Sequence, residues 1–308
     1  METRQIGSLS ASLVGIGCNN FGKRLDQART DQVVAAALDV GINFFDTADV
    51  YGETHSEEQL GRALGARRKD VLIASKFGIR IDDARPGGGH PDYVRRAVED
   101  SLRRLGTDYI DLYQLHRPDP SVPVADTLGA LDALVKAGKV REIGSSNFDV
   151  AQIEEAEGAA KPGAARFVSV QNEYSLLVRD PEESVLPALR ARGIGFLPYF
   201  PLASGLLSGK YKRGQPAPAN TRLADWAPLK ERFLNERNEG RAEALGAFAH
   251  ARGHTLLELA FSWLAANPAV SSIIAGATSP EQVRANAAAV GWKLDGDALG
   301  EVDRLTRA

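Results

Sequence analysis

Short β-branched or apolar runs alternate along this chain with longer stretches of helical period, the pattern of repeated βα units. No other feature restricts the fold as much, because strands joined through helices line up as a parallel sheet. The strand candidates are residues 13–17, 43–46, 71–76, 109–116, 140–144, 167–171, 195–199 and 272–274. Helical stretches fill the gaps at 30–39, 56–64, 91–105, 124–137, 149–157, 182–192, a pair within 235–266, and 280–289, with a terminal helix at 297–307. Eight units in 308 residues are about 38 residues each, which suits a (β/α)8 barrel with modest insertions. The expectation is an α/β chain folded as one TIM-barrel domain over residues 1–308. A doubly wound open sheet is the alternative, but no GxGxxG follows the first strand and no compositional break marks a second domain. Residues 4–12, turning at Gly7-Ser8, read as a β-hairpin that plugs the barrel floor. Thr30 and Ser56 are expected N-caps, and Gly65, Gly106, Gly138 and Gly193 follow helices where left-handed backbone is wanted.

Two connections are long: 78–90 after the third strand and 210–233 after the seventh, both rich in Pro, Gly and charge. Loops after strands form the face on which barrel sites are built. The Gly87-Gly88-Gly89 run is expected to be a lid or plain loop rather than an anion nest.

Composition removes several functions. With 40 acidic and 37 basic side chains and no Lys/Arg stripe, the chain has no footprint for nucleic acid. No apolar run approaches the roughly 18 residues of a spanning helix, and METRQIGSLS lacks the order of a signal peptide. A cytoplasmic protein without a membrane partner is expected. The single Cys18 makes no internal disulfide and is expected to be a small buried residue.

Asp46, Lys76 and His116 each end an otherwise apolar strand, and the three strands are consecutive. A barrel gathers such side chains at its C-terminal face, so a carboxylate, an ammonium and an imidazole should converge there. Tyr51, five residues beyond Asp46, is close enough to join them. Buried Lys and Asp are rare unless paired, and an ammonium beside a phenol lowers its pKa from near 10. The site reads as a proton donor aimed at a carbonyl oxygen. A metal site built on Asp46, Glu53, His55 and His116 is the weaker reading, because Lys76 repels a cation and no HxH pair supplies ligands; no metal is expected.

GINFFDTADVYGETHSEEQLGRAL, VLIASKFG, DYIDLYQLHRPD and REIGSSNF resemble, in this order, the diagnostic segments of the aldo-keto reductases, NAD(P)-dependent oxidoreductases built on a (β/α)8 barrel. The resemblance is to the shorter microbial and channel-subunit branches and spans nearly the whole chain. By position it implies Tyr51 as general acid, Lys76 as its partner, Asp46 as the carboxylate pairing with Lys76, and His116 as the residue orienting the carbonyl. Ser146, Asn147 and Gln171 resemble the residues that bond the nicotinamide carboxamide, and Tyr199 resembles the aromatic that stacks on the ring. PLASGLLSGKY resembles the pyrophosphate segment, implying Pro201, Leu202, Gly205, Leu206, Ser208 and Lys210. The loop with Gly276, Thr278 and Gln282, followed by Asn286, resembles the adenosine site. It departs from many relatives in lacking a Lys or Arg for the 2'-phosphate of NADP. Lys210 and Arg222 are expected to supply that charge. Phe200 departs from the Ser common after the stacking aromatic.

The resemblance thus implies an NADP(H)-dependent enzyme, with NAD(H) as the other possible cofactor, acting on a small carbonyl or alcohol. A cofactor-binding regulatory or sensor subunit is the alternative. The sequence ends soon after the terminal helix, which implies an open pocket; Phe21, Phe77 and Trp226 are its expected walls. Nothing in the sequence specifies an oligomeric state.

Overall fold

The computed structural model describes residues 1–307; Ala308, the last residue of the expected domain, lies outside the described residues. Strands β1 (Thr3–Ile6) and β2 (Leu9–Ser12) pair antiparallel about Gly7-Ser8, as the turn residues require. Eight parallel strands follow: β3 (Val14–Gly17), β4 (Phe44–Asp46), β5 (Leu72–Phe77), β6 (Ile110–Leu115), β7 (Val140–Ser146), β8 (Phe167–Gln171), β9 (Gly195–Phe196) and β10 (Ile273–Gly276). From β3 to β9 each pairs with the next, and β10 returns to pair with β3. The remaining edge is joined by isolated bridges, Phe196 with Val270 and Tyr199 with Ile274, so the sheet curls into the expected (β/α)8 barrel. Regular pairing in β9 is shorter than the expected 195–199 because Pro198 has no N–H to give to a ladder. Its neighbours Leu197 and Tyr199 still donate to Val170 O at 2.9 Å and Asn172 O at 3.1 Å.

The helices lie between the strands: α1 (Gln27–Asp39), α2 (His55–Leu64), α3 (Pro91–Leu105), α4 (Val124–Lys136), α5 (Val150–Ala159) and α6 (Val185–Arg192). The long seventh connection, expected as loop, holds two short helices, α7 (Arg222–Asp225) and α8 (Ala227–Phe233). Then come α9 (Glu236–His250), α10 (Leu256–Ala266), α11 (Pro280–Ala288) and α12 (Gly296–Arg307). The expected caps Thr30 and Ser56 lie inside helices; Asp26 caps α1 instead. Thr30 Oγ1 donates to Gln59 Oε1, and Ser56 Oγ donates to Cys18 O, so tertiary partners claim both hydroxyls. Gly106, Gly138 and Gly193 have the expected left-handed backbone, whereas Gly65 has positive φ but leaves α2 along a different path.

Two apolar layers result. Inside the barrel, Ile6, Leu9 and Ala11 of the hairpin meet Phe44, Leu72, Ala74, Leu112, Leu197 and Ile274, which closes the floor. Outside, the other face of each strand packs on the helices. Strand alternation therefore sends Leu72, Ala74 and Lys76 inward and Ile73, Ser75 and Phe77 outward. The inner layer is apolar at the floor and becomes polar at the opposite rim. In the third loop, Gly88 N donates to Gly78 O and Gly89 N to Asp119 Oδ2, both at 2.8 Å, so this glycine run is an ordinary loop with two of its three amides engaged within the chain. Among the described residues no helix is long and apolar enough to cross a membrane.

Candidate active site

Asp46 ends β4, Lys76 is the next-to-last residue of β5, and His116 follows β6, so three inward positions on adjacent strands meet at the rim. Lys76 Nζ lies 2.6 Å from Asp46 Oδ2, 2.9 Å from Thr47 O and 3.4 Å from Tyr51 Oη. The Tyr51 and His116 rings meet edge to face at 5.7 Å. The four side chains expected to converge do so. Two amides complete the carboxylate: Asp46 Oδ1 accepts from Gln171 Nε2 at 2.8 Å and from Gln114 Nε2 at 3.3 Å. Gln114 was missed by the sequence reading, although it lies two residues before His116 on the same inward face.

The electrostatics follow from enclosure. Burial alone works against the charge on Lys76, but the Asp46 carboxylate and the Tyr51 phenol outweigh it and hold the ammonium above its usual range. Burial raises the Tyr51 phenol, and although Lys76 pulls the other way, the net direction is up. This reverses the expected lowering: the ammonium acts with the anticipated sign, but the loss of water is the larger effect. Burial, assisted by Lys76 and Arg117, pushes His116 well below the usual histidine range, so its imidazole is neutral at pH 7.

Tyr51 is also held by its backbone. Gly52 has φ +57°, and a Cβ there would lie 2.3 Å from Phe21 O, so the turn after Tyr51 requires glycine and presses on the β3–α1 loop. All seven described non-glycine residues with positive φ, among them Glu53, Thr54, Asn147, Phe200 and Ser204, sit in loops after strands. Such backbone costs about 1–3 kcal/mol per residue and concentrates at working sites.

The other expected site residues line the same rim. Ser146 Oγ donates to Gln171 O at 2.7 Å, Asn147 Nδ2 to His116 O at 3.0 Å, and Tyr199 Oη to Asn147 Oδ1 at 2.8 Å. Pro201, Leu202, Gly205, Leu206 and Ser208 lie in or beside a 3-10 turn, where Ser208 Oγ donates to Gly205 O and buried Ser204 Oγ has no partner among the described residues. Lys210 is exposed, with Nζ 3.3 Å from where a Cβ on Gly205 would sit. Arg222 Nη2 donates to Asn19 Oδ1 at 3.1 Å and Asn20 Oδ1 at 3.0 Å, two residues the sequence reading passed over although they follow the first barrel strand. The same asparagines border Gly276. Burial and the nearby arginines lower both Lys210 and Arg222, and neither forms an ion pair with a described carboxylate. A cationic cluster open to solvent on one side, beside an orphaned serine hydroxyl, fits the phosphate groups of a dinucleotide. Thr278 and Gln282 bond one another, and Asn286 is buried on α11.

Of the expected pocket walls, Phe21 and Phe77 are fully buried in the outer core, Phe77 stacked on Tyr113 at 4.8 Å. Only Trp226 stands exposed on the loop face, with Lys23 over its ring. Among the described residues no group of three or more His, Cys, Asp or Glu side chains has metal-holding geometry. A cavity of about 750 Å³ between Arg68, Arg103, Tyr109 and Lys139 opens where strands begin, remote from this cluster.

Known proteins resemble this chain along its length. The model of the aldo/keto reductase family matches residues 13–307. A probable voltage-gated potassium channel subunit beta of Arabidopsis thaliana is 34% identical over 94% of this chain and 91% of its own. YrpG, an uncharacterized oxidoreductase of Bacillus subtilis, is 35% identical over 97% of this chain and 94% of its own. Among solved structures, the holo form of the aldo-keto reductase AKR11C1 from Bacillus halodurans superposes with a TM-score of 0.82 at 33% identity, covering 99% of this chain and 96% of that one. The glycerol dehydrogenase AKR11B4 from Gluconobacter oxydans gives 0.83 at 29% identity, covering 99% and 94%.

Proposed function

From the premise that this chain belongs to the aldo/keto reductase family, and is an oxidoreductase acting on a small molecule, we propose that it interconverts an aldehyde or ketone and its alcohol with NADP(H), and less readily with NAD(H). The observation that carries this reading is the contact of an enclosed ammonium with both Asp46 and the Tyr51 phenol, beside a neutral imidazole. A nicotinamide held at the rim would supply or accept the hydride. In reduction, Tyr51 Oη gives its proton to the carbonyl oxygen as charge gathers there. Lys76 stabilises the phenolate left behind, and Asp46 keeps Lys76 charged. The imidazole of His116 donates a hydrogen bond that points the carbonyl at Tyr51. Ser146, Asn147 and Gln171 would hold the carboxamide, Tyr199 would stack on the ring, and the segment from Pro201 to Lys210 would hold the pyrophosphate. Arg222, with Gly276, Thr278, Gln282 and Asn286, would take the adenosine end. One cytoplasmic domain, with no nucleic acid or membrane partner, carries all of this in our reading.

A second reading is favoured by the likeness to the Arabidopsis probable channel subunit beta: a cofactor-binding regulatory subunit whose turnover is secondary. A screen of aldehydes, ketones and alcohols, followed by absorbance of the reduced nicotinamide, separates the two. Saturable turnover with at least one compound supports the enzyme. Cofactor binding without turnover, together with a copurifying membrane protein, supports the subunit.

A further inference from the structure

Behind β5, on the side away from the reacting groups, lies a second enclosed polar cluster that the proposed chemistry does not use. Asp49 is 1% exposed, and among the described residues neither carboxyl oxygen has a hydrogen-bond partner. The groups facing it come from every element packed there. Glu57 of α2 is fully buried and accepts from Ser75 Oγ of β5 at 2.5 Å and from Arg104 Nε of α3 at 2.7 Å. The phenols of Tyr93 on α3 and Tyr113 on β6 complete the wall, both raised in part by Asp49. Lys76 contributes a weaker favourable field, and the Val50 amide favours the charged form without a well-formed hydrogen bond. Two carboxylates thus share essentially one cation, Arg104, and Glu57 already holds it. An ionised Asp49 would be a buried charge without a counterion or a donor, which is the more expensive state.

The backbone links this cluster to the rim. Thr47 N donates to Ala74 O at 2.8 Å, and Asp49 N donates to Lys76 O at 3.0 Å. Residues 47–49 are therefore laced along β5, and the Asp49 bond is the last of these before Tyr51. An ionised carboxyl here favours any opening that admits water, and an opening of this segment breaks the Thr47 and Asp49 amide bonds to β5.

We propose that Asp49 is a positioning residue for Tyr51: uncharged, it seats the 47–51 segment against β5, and ionised, it leaves its pocket and withdraws the phenol from Lys76. Burial, then the charge of Glu57, pushes the seated carboxyl up to about 8. No member of the reacting cluster competes there, because His116 is pushed down and Lys76 and Tyr51 are pushed up. The inference rests on Tyr51 being the proton donor.

The test is the pH dependence of carbonyl reduction between pH 6 and 10, each profile normalised to its own value at pH 7. The wild type should fall about tenfold per pH unit above pH 8, and Asp49→Asn, uncharged at every pH, should stay level to at least pH 9. A limb of unchanged midpoint in Asp49→Asn would assign it to Tyr51 and overturn the proposal. Amide exchange of the wild type gives a readout that needs neither turnover nor a variant. Protection at Asp49 and Tyr51 should drop above pH 8 by more than the intrinsic base catalysis of exchange; protection that follows intrinsic rates overturns the proposal. Absence of carbonyl reduction would count against the reductase reading, while the exchange profile would still decide the motion of the segment.

Discussion

Removing the ammonium of Lys76 leaves Asp46 with only the amides of Gln114 and Gln171. Lys76→Met should therefore cost about 3–5 kcal/mol of unfolding free energy and abolish most reduction, as read by denaturant melts and turnover on one preparation. Unchanged values in both would contradict the enclosed pair. Tyr51→Phe deletes the transferred proton without changing the shape of the site, so kcat should fall about 100-fold or more while nicotinamide affinity persists. Undiminished turnover would remove the phenol from the reaction. The convergence of these side chains was legible because alternation along a strand fixes which residues face inward, and polar residues at the ends of apolar strands stand out. The direction in which Tyr51 titrates was not legible, because it depends on how completely water is excluded. Asp49 was equally hidden: in sequence it is one more polar loop residue, and only the packing of α2 and α3 encloses it.

The two helices that enclose Asp49 touch through their backbones. A Cβ on Gly61 of α2 would lie 2.2 Å from Leu105 O at the end of α3. Gly61→Ala should force the helices apart and cost about 1–3 kcal/mol. Gly129→Ala in α4, where a methyl meets nothing within 4 Å, should be neutral or stabilising by roughly 0.5–1 kcal/mol. Thermal melts of the pair check both, and equal shifts would deny the close crossing. Element existence was readable throughout because each strand and helix carries its own period. What escaped were details set by partners from elsewhere in the chain: Thr30 and Ser56 look like caps until Gln59 and Cys18 claim their hydroxyls, and 222–233 looks like loop because its helices are too short to show a period.

Across the whole molecule, loops from opposite ends of the chain meet over the rim. Arg24 Nη2 donates to Asn220 O at 2.9 Å and pairs with Asp225 at 2.7 Å, beside the Arg222 contacts to Asn19 and Asn20. Arg222→Ala should weaken NADPH more than NADH, by about ten- to one-hundred-fold, because a charged hydrogen bond of roughly 1.5–3 kcal/mol forms only with the phosphorylated ribose. Dissociation constants from quenching of protein fluorescence at fixed salt check this. Equal losses would place Arg222 on the shared pyrophosphate. The barrel architecture was legible from the count of βα units, but the strap was not, since nothing in the spacing of Arg24 and Asp225 announces their pairing. The same long-range closure bears on how the chain is made. Val14 of β3 waits for Ile273 of β10, and Arg4 waits for the carbonyls of Ala265, Asn267 and Val270. At about 5–20 residues per second, the ribosome holds the first barrel strand as an open edge for tens of seconds. Slow decoding late in the message therefore prolongs the interval in which that edge can pair with a neighbouring nascent chain.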